Sequence, residues 1–140
     1  MPALSRPDLA WALVRVVGGL SLAGFHGWGK VSGGVAKFVG TVQKLGFPYP
    51  EFFAWCAAFG EFGGGFLVAV GFMTRPAAAI AAFTMAVALF HHRHDPVAKM
   101  ELAGLYLVIM VAAVVMGSGR YGVDGWRAGS RGGRAADKSG

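Results

Sequence analysis

Residues 9–28 read LAWALVRVVGGLSLAGFHGW, twenty positions that are apolar or small apart from Arg15, Ser21 and His26. A bilayer core is crossed by ~20 apolar residues in a helix, so the run is long enough to span. A secretory signal peptide is the competing reading, because Ser21 and Ala23 resemble a small-residue cleavage site. An arginine in the middle of the apolar region and the lack of a strongly basic start argue against it. The stretch is expected to be a transmembrane helix.

Three more runs of the same kind follow. Residues 52–72 are broken only by Glu61, and residues 102–119 carry no charge. Residues 76–92 lie between Arg75 and Arg93, opening with Pro76, which suits the first turn of a helix. That run is short, but arginines at both ends can reach the two interfaces. Of the 140 residues, 55% are hydrophobic and 14% charged, and the mean hydropathy is +0.53. Soluble domains carry about 25% charged residues. The expected fold is therefore all-α, an integral membrane four-helix bundle.

Between the first two spans, SGGVAKFVGTVQKLGFPYP (32–50) is too polar to cross. Val35, Phe38, Val39 and Val42 fall on one helical face, with Lys37 and Lys44 away from it. This predicts a short interfacial amphipathic helix. Residues 1–125 form the expected membrane domain. The basic tail 126–140, WRAGSRGGRAADKSG, is rich in glycine and arginine and is expected to lack regular structure.

The net charge of +6 suggests nucleic acid until it is located. Lys30, Lys37 and Lys44 sit in one loop, and Arg127, Arg131, Arg134 and Lys138 in the tail. No nucleic-acid motif accompanies them, so the expected partner is the lipid bilayer and its anionic headgroups. Arg6, Arg75, Arg120 and the four tail charges fall on one side. Lys30, Lys37, Lys44, Arg93 and Lys99 fall on the other. The bias puts both termini in the cytoplasm. Cys56 is the single cysteine, which excludes an internal disulfide, CxxC chemistry and a thiol–disulfide relay by this chain alone. It reads as a small apolar helix residue.

Small residues recur at helical spacing: Gly19, Ala23 and Gly27; Gly60 and Gly64; Ala78, Ala82 and Ala86. Such rows let helices approach closely in lipid. Ionisable groups in the bilayer cost ~2.5–3.5 kcal/mol each on insertion scales and face the bundle interior. Arg15, Glu61 and Glu101 are the cases here. Gly19, Leu22 and His26 lie within about 40° of Arg15 on a helix, and Arg15 and Glu61 differ in depth by ~5–6 Å. An Arg15–Glu61 pair is the expected contact.

His26, Lys30, His91, His92 and Glu101 are expected toward the opposite, external surface. With Trp28, Trp55, Phe90 and Tyr106 at similar depth, they would form a pocket with polar groups and apolar walls. The stretch FHHRHD (90–95) places His91, His94 and Asp95 at i, i+3 and i+4, a metal-like spacing. Asp95 precedes Pro96, however, which biases it away from helical angles and makes it an N-cap for the next helix. One turn without a fourth partner does not define a metal centre, and none is expected.

In order along the chain stand RVVGGL (15–20), HGWGK (26–30), LGFPYP (45–50) and GEFGGGFLVAVGFMTRPAA (60–78). The histidines after span three, Glu101 opening span four and GSGRYGVDG (117–125) complete the series. The series, from about Leu9 to Gly125, resembles the DoxX family. The resemblance implies a small four-helix protein of the bacterial cytoplasmic membrane, of a kind commonly labelled an oxidoreductase. It would be a subunit of a quinone- or thiol/thiosulfate-associated redox complex, with other membrane or peripheral redox subunits or further copies of itself as partners. No haem, iron–sulfur or nucleotide motif occurs in the sequence. No cofactor is evident in the chain itself; a quinone is what the resemblance implies, with Arg15, His26, Lys30, Glu61, His91, His92 and Glu101 as ligand-binding candidates. Glu61, His91, His92 and Glu101 are the catalytic candidates. The alternative is a non-catalytic membrane module: a lipid-like ligand binder, an assembly factor or a complex anchor.

Overall fold

The computed structural model describes residues 5–137, with side chains for residues 5–130. Among the described residues every regular element is helical. α1 (Arg6–Ser21) starts with Ser5 accepting the Asp8 N–H, and Pro7 lies in its first turn. The helix does not stop at Trp28. It continues through two wide π-type stretches, Leu22–Gly27 and Lys30–Gly34, and bends at Gly33, whose φ of 136° suits glycine. α2 (Val35–Lys44) follows the bend, then α3 (Pro50–Val70), α4 (Thr74–His91), α5 (Val97–Met116) and α6 (Val123–Asp137).

Four helical runs are long and apolar enough to cross a membrane: Arg6–Lys44, Pro50–Val70, Thr74–His91 and Val97–Met116. They correspond in number and order to the four expected spans; the last three differ from them by a few residues at their ends, and the first runs on to Lys44. The helices pack in the order α1, α3, α4, α5 around the bundle, with α5 also touching α1. Small residues decide how closely they approach. A Cβ on Gly19 would lie 2.5 Å from the Gly65 carbonyl oxygen, and one on Gly27 would lie 2.4 Å from the Phe62 backbone. These are backbone-to-backbone crossings of α1 on α3 that any larger residue would separate. Gly60 and Gly64 face the other way, toward Ile80 and Ala77 of α4. Ala78 and Ala82 are buried as expected, whereas Ala86 is exposed.

The main core joins Trp11, Leu22, Val68, Met85, Tyr106 and Met110 with the alanines of α4. A second core forms where α2 lays Val35 and Val42 on Ala54 and Ala58 of α3. The expected amphipathic helix thus exists, and its apolar face is covered by α3. The tail expected to lack structure continues as helix α6 up to Asp137; residues 138–140 lie outside the described residues.

The end of the bundle bearing the α3–α4 turn is tied by side chains. α3 ends on Gly71 in a left-handed conformation (φ 77°), with the Gly71 and Phe72 N–H groups returning to Leu67 and Val68 carbonyls. Arg15, 1% exposed, donates to the Val68 and Ala69 carbonyls and reaches Tyr121 O at 3.5 Å. A guanidinium at a helix C-terminus meets both unsatisfied carbonyls and the negative end of the dipole. Trp11 Nε1 donates to Gly117 O at 3.0 Å. Asp124 accepts from the N–H groups of Met73 and Thr74 and from the Thr74 hydroxyl, capping α4. Burial pushes the Asp124 carboxyl up, but those three donors and the charge of Arg127 outweigh it and hold it below the ordinary carboxylate value.

Candidate functional site

At the other end the helices part. α1's continuation, α2, the start of α3, the end of α4 and the start of α5 enclose a cavity of about 500 Å³. Its apolar walls include Phe38, Leu45, Phe47, Phe53 and Phe83. Its polar groups are His26, Lys30, Thr41, Glu61, Thr84, His91, His92 and Lys99. The volume lies within the ~300–1,000 Å³ range of small-molecule sites, and apolar walls with few polar groups are their usual make-up.

The deepest polar feature is an ion pair. Lys30 Nζ donates to both Glu61 oxygens, at 2.5 and 2.7 Å, with Glu61 1% exposed. The expected Arg15–Glu61 pair is not formed. Arg15 lies near the closed end with its charge on α3 carbonyls, while the α1 continuation brings Lys30 to the level of Glu61. Lys30 also stands 4.3 Å above the Phe38 ring, a cation–π contact that ties α2 to the pair. His26 packs edge-on against Tyr106, centroids 5.2 Å apart.

The rim is built by the residues after α4. His91 and His92 stack edge-to-face at 4.8 Å, and His92 Nδ1 is 2.6 Å from Asp95 Oδ2. Asp95 therefore does not cap α5. Its carboxylate turns back to the histidine, and Pro96 occupies the cap position without a side-chain bond. The His92 hydrogen bond holds the Asp95 carboxyl below the ordinary carboxylate value.

Five of the seven ligand-binding candidates thus meet at one cavity: His26, Lys30, Glu61, His91 and His92. Arg15 and Glu101 do not line it. α5 begins at Val97, so Glu101 falls on its second turn and is exposed, while Lys99, Leu102 and Ala103 face the cavity instead. The aromatic walls also differ from expectation. Trp28 packs on Phe62, Trp55 stacks on Phe59, Phe90 lies under Arg93, and Tyr106 holds His26. Cys56, read as a small apolar helix residue, lies on α3, is exposed and lines the cavity. The spacing Phe53, Cys56, Ala57 and Glu61 shares one helical face, which is the signal that would have placed it there. No group of three or more His, Cys, Asp or Glu side chains among the described residues is arranged to hold a metal ion.

No curated protein and no solved structure matches this chain. The DoxX family model matches residues 10–94, more than half of the chain, from the second turn of α1 to the histidine rim beyond α4. The protein is a multi-pass membrane protein that belongs to the DoxX family.

Proposed function

We propose that the chain is a membrane subunit of a redox-linked complex in the bacterial cytoplasmic membrane, with both termini in the cytoplasm, and that its cavity binds a quinone-like amphiphile. The observation that carries this reading is the cavity itself: apolar aromatic walls, with an ion pair at the deep end and histidines at the rim. The polar groups fit a ring bearing oxygens. His26, His91, His92 and Lys99 offer polar contacts to the head, and Phe38, Phe47, Phe53 and Phe83 offer surface to the ring and tail. A bound quinone supplies two-electron, two-proton exchange. The chain's own part is to hold the head, exclude water with α2, and keep a carboxylate and an ammonium nearby. Electrons enter from a partner subunit or from the substrate, since a single cysteine carries no dithiol relay.

The test is extraction. Protein purified in mild detergent is expected to release a quinone in stoichiometric amount, and Phe53→Trp, which fills the cavity, is expected to abolish it. Lipid extracts without quinone, from a preparation whose helicity is intact, would overturn the reading. A second reading is a non-catalytic binder or anchor. The internally paired Lys30–Glu61 contact favours it, because a charge already satisfied can serve packing alone.

A further inference from the structure

Lys30 occupies both oxygens of Glu61 and otherwise faces the Phe38 ring, so that ion pair is matched internally. At the rim the pairing is of a different kind. His92 lines the cavity, and its Nδ1 stands 2.6 Å from Asp95 Oδ2. An ionised carboxylate only accepts, so the hydrogen in that contact belongs to Nδ1. The charge of Asp95 is maintained by that bond and by Lys99, whose Nζ is 3.9 Å away. With its hydrogen on Nδ1, the neutral form of the imidazole carries its lone pair on Nε2, an acceptor in search of a donor. The His92 ring makes no other hydrogen bond among the described residues, and the edge-on His91 ring limits its rotation.

We infer that Asp95 is a positioning residue that turns His92 into a hydrogen-bond acceptor at the cavity rim, so that the site selects a hydroxyl-bearing amphiphile. Applied to a quinone-class ligand, the reduced dihydroxy form binds in preference to the oxidised form; this rests on the cavity being the ligand site proposed above. A phenolic O–H donates to Nε2. A quinone carbonyl brings no hydrogen and sets one lone pair against another, leaving the acceptor desolvated and unpaired. Asp95 touches no ligand in this arrangement. Its contribution is the choice of tautomer, the role a second carboxylate plays behind many functional histidines.

The experiment uses the full chain in nanodiscs at pH 8 under anaerobic conditions. Decylubiquinone and decylubiquinol are titrated separately and binding is read by equilibrium dialysis. Wild-type protein is expected to bind the quinol roughly tenfold more tightly, the effect of one hydrogen bond of ordinary strength. In Asp95→Ala the ratio is expected to fall to near one, chiefly through weaker quinol binding. Asp95→Asn keeps an acceptor oxygen for Nδ1–H and is expected to retain most of the preference. A merely structural Asp95 would weaken both forms in parallel and leave the ratio unchanged. Equal affinities in the wild type, or a preference that survives Asp95→Ala, overturn the inference while leaving the cavity reading standing. No saturable binding of either form overturns the cavity reading, and this inference with it.

Discussion

Lys30 and Glu61, thirty-one residues apart in sequence, meet with Nζ 2.5 and 2.7 Å from the two carboxylate oxygens, and the carboxylate is 1% exposed. The pair joins the bent continuation of α1 to the middle of α3, beneath α2. Breaking it from one side leaves an unmatched charge in a poorly solvated place. Lys30→Ala is expected to cost about 3–5 kcal/mol, whereas replacing both partners, Lys30→Met with Glu61→Leu, is expected to restore most of the loss. Thermal unfolding of the three proteins in one detergent checks this. A double variant no more stable than Lys30→Ala would show that the charges are needed as charges.

The crossing of α1 on α3 makes a paired prediction from glycine. A Cβ on Gly65 would lie 2.7 Å from the Gly19 carbonyl oxygen, and one on Gly63 would meet nothing within 4 Å. Gly65→Ala is expected to destabilise by about 1–3 kcal/mol through forced separation of the helices. Gly63→Ala is expected to be neutral or slightly stabilising, because alanine is the better helix former. Equal melting temperatures for the two variants would refute the close approach.

Asp124 sets a pH dependence. Its carboxyl is held below the ordinary value, so the folded form prefers it ionised. The stabilisation is therefore fully present above the unfolded pKa of ~3.9 and is lost as pH falls through the lower folded value. Melting temperature recorded downward from pH 7 is expected to be insensitive to this group until about pH 4 and then to decline. Asp124→Ala removes the cap on Met73 and Thr74, and is expected to cost about 1–3 kcal/mol at neutral pH and to flatten that acid limb. An unchanged acid limb in the variant would assign it to other carboxylates, Asp95 among them.

Arg15 supplies the fourth prediction. Its planar fork spreads over the carbonyls of Val68, Ala69 and Tyr121, whereas a lysine presents a single point of charge. Arg15→Lys is expected to lower stability by about 1–3 kcal/mol without altering ligand binding, since Arg15 does not line the cavity. Lost binding with retained stability would contradict this separation of roles.

The four spans were legible because each apolar run is bounded by charge: Arg75 and Arg93 bracket α4, and Arg6 opens α1. Five cavity residues were legible for a related reason, since ionisable groups in apolar runs have few places to go. Their partners were not. The expectation of an Arg15–Glu61 pair rests on helix face and depth, with α1 ending near Trp28. The wide turns at Leu22–Gly27 and Lys30–Gly34 carry the helix further and bring Lys30 to the carboxylate. Arg15 needed no acid because the end of α3 offers carbonyls, and an N–H or C=O without a partner leaves no mark in a sequence. Asp95 obeyed the rule for a residue before proline, yet a histidine three positions earlier was the nearer donor. In α6, glycines at 125, 129, 132 and 133 concealed a helix that propensity alone disfavours.

The contact between Gly19 and Gly65 divides the molecule mechanically. On one side Trp11, Arg15 and Asp124 fasten the helices to one another and to the loop around Gly71. On the other side the chain is articulated at Gly33 and Gly46, both with positive φ, while Gly27 and Trp28 against Phe62, His26 against Tyr106 and the Lys30–Glu61 pair hold α1's continuation to the bundle. Such a body works as tongs with a fixed heel. A guest that widened the cavity would find the most permissive backbone at those two glycines, which flank α2, rather than at the fastened end.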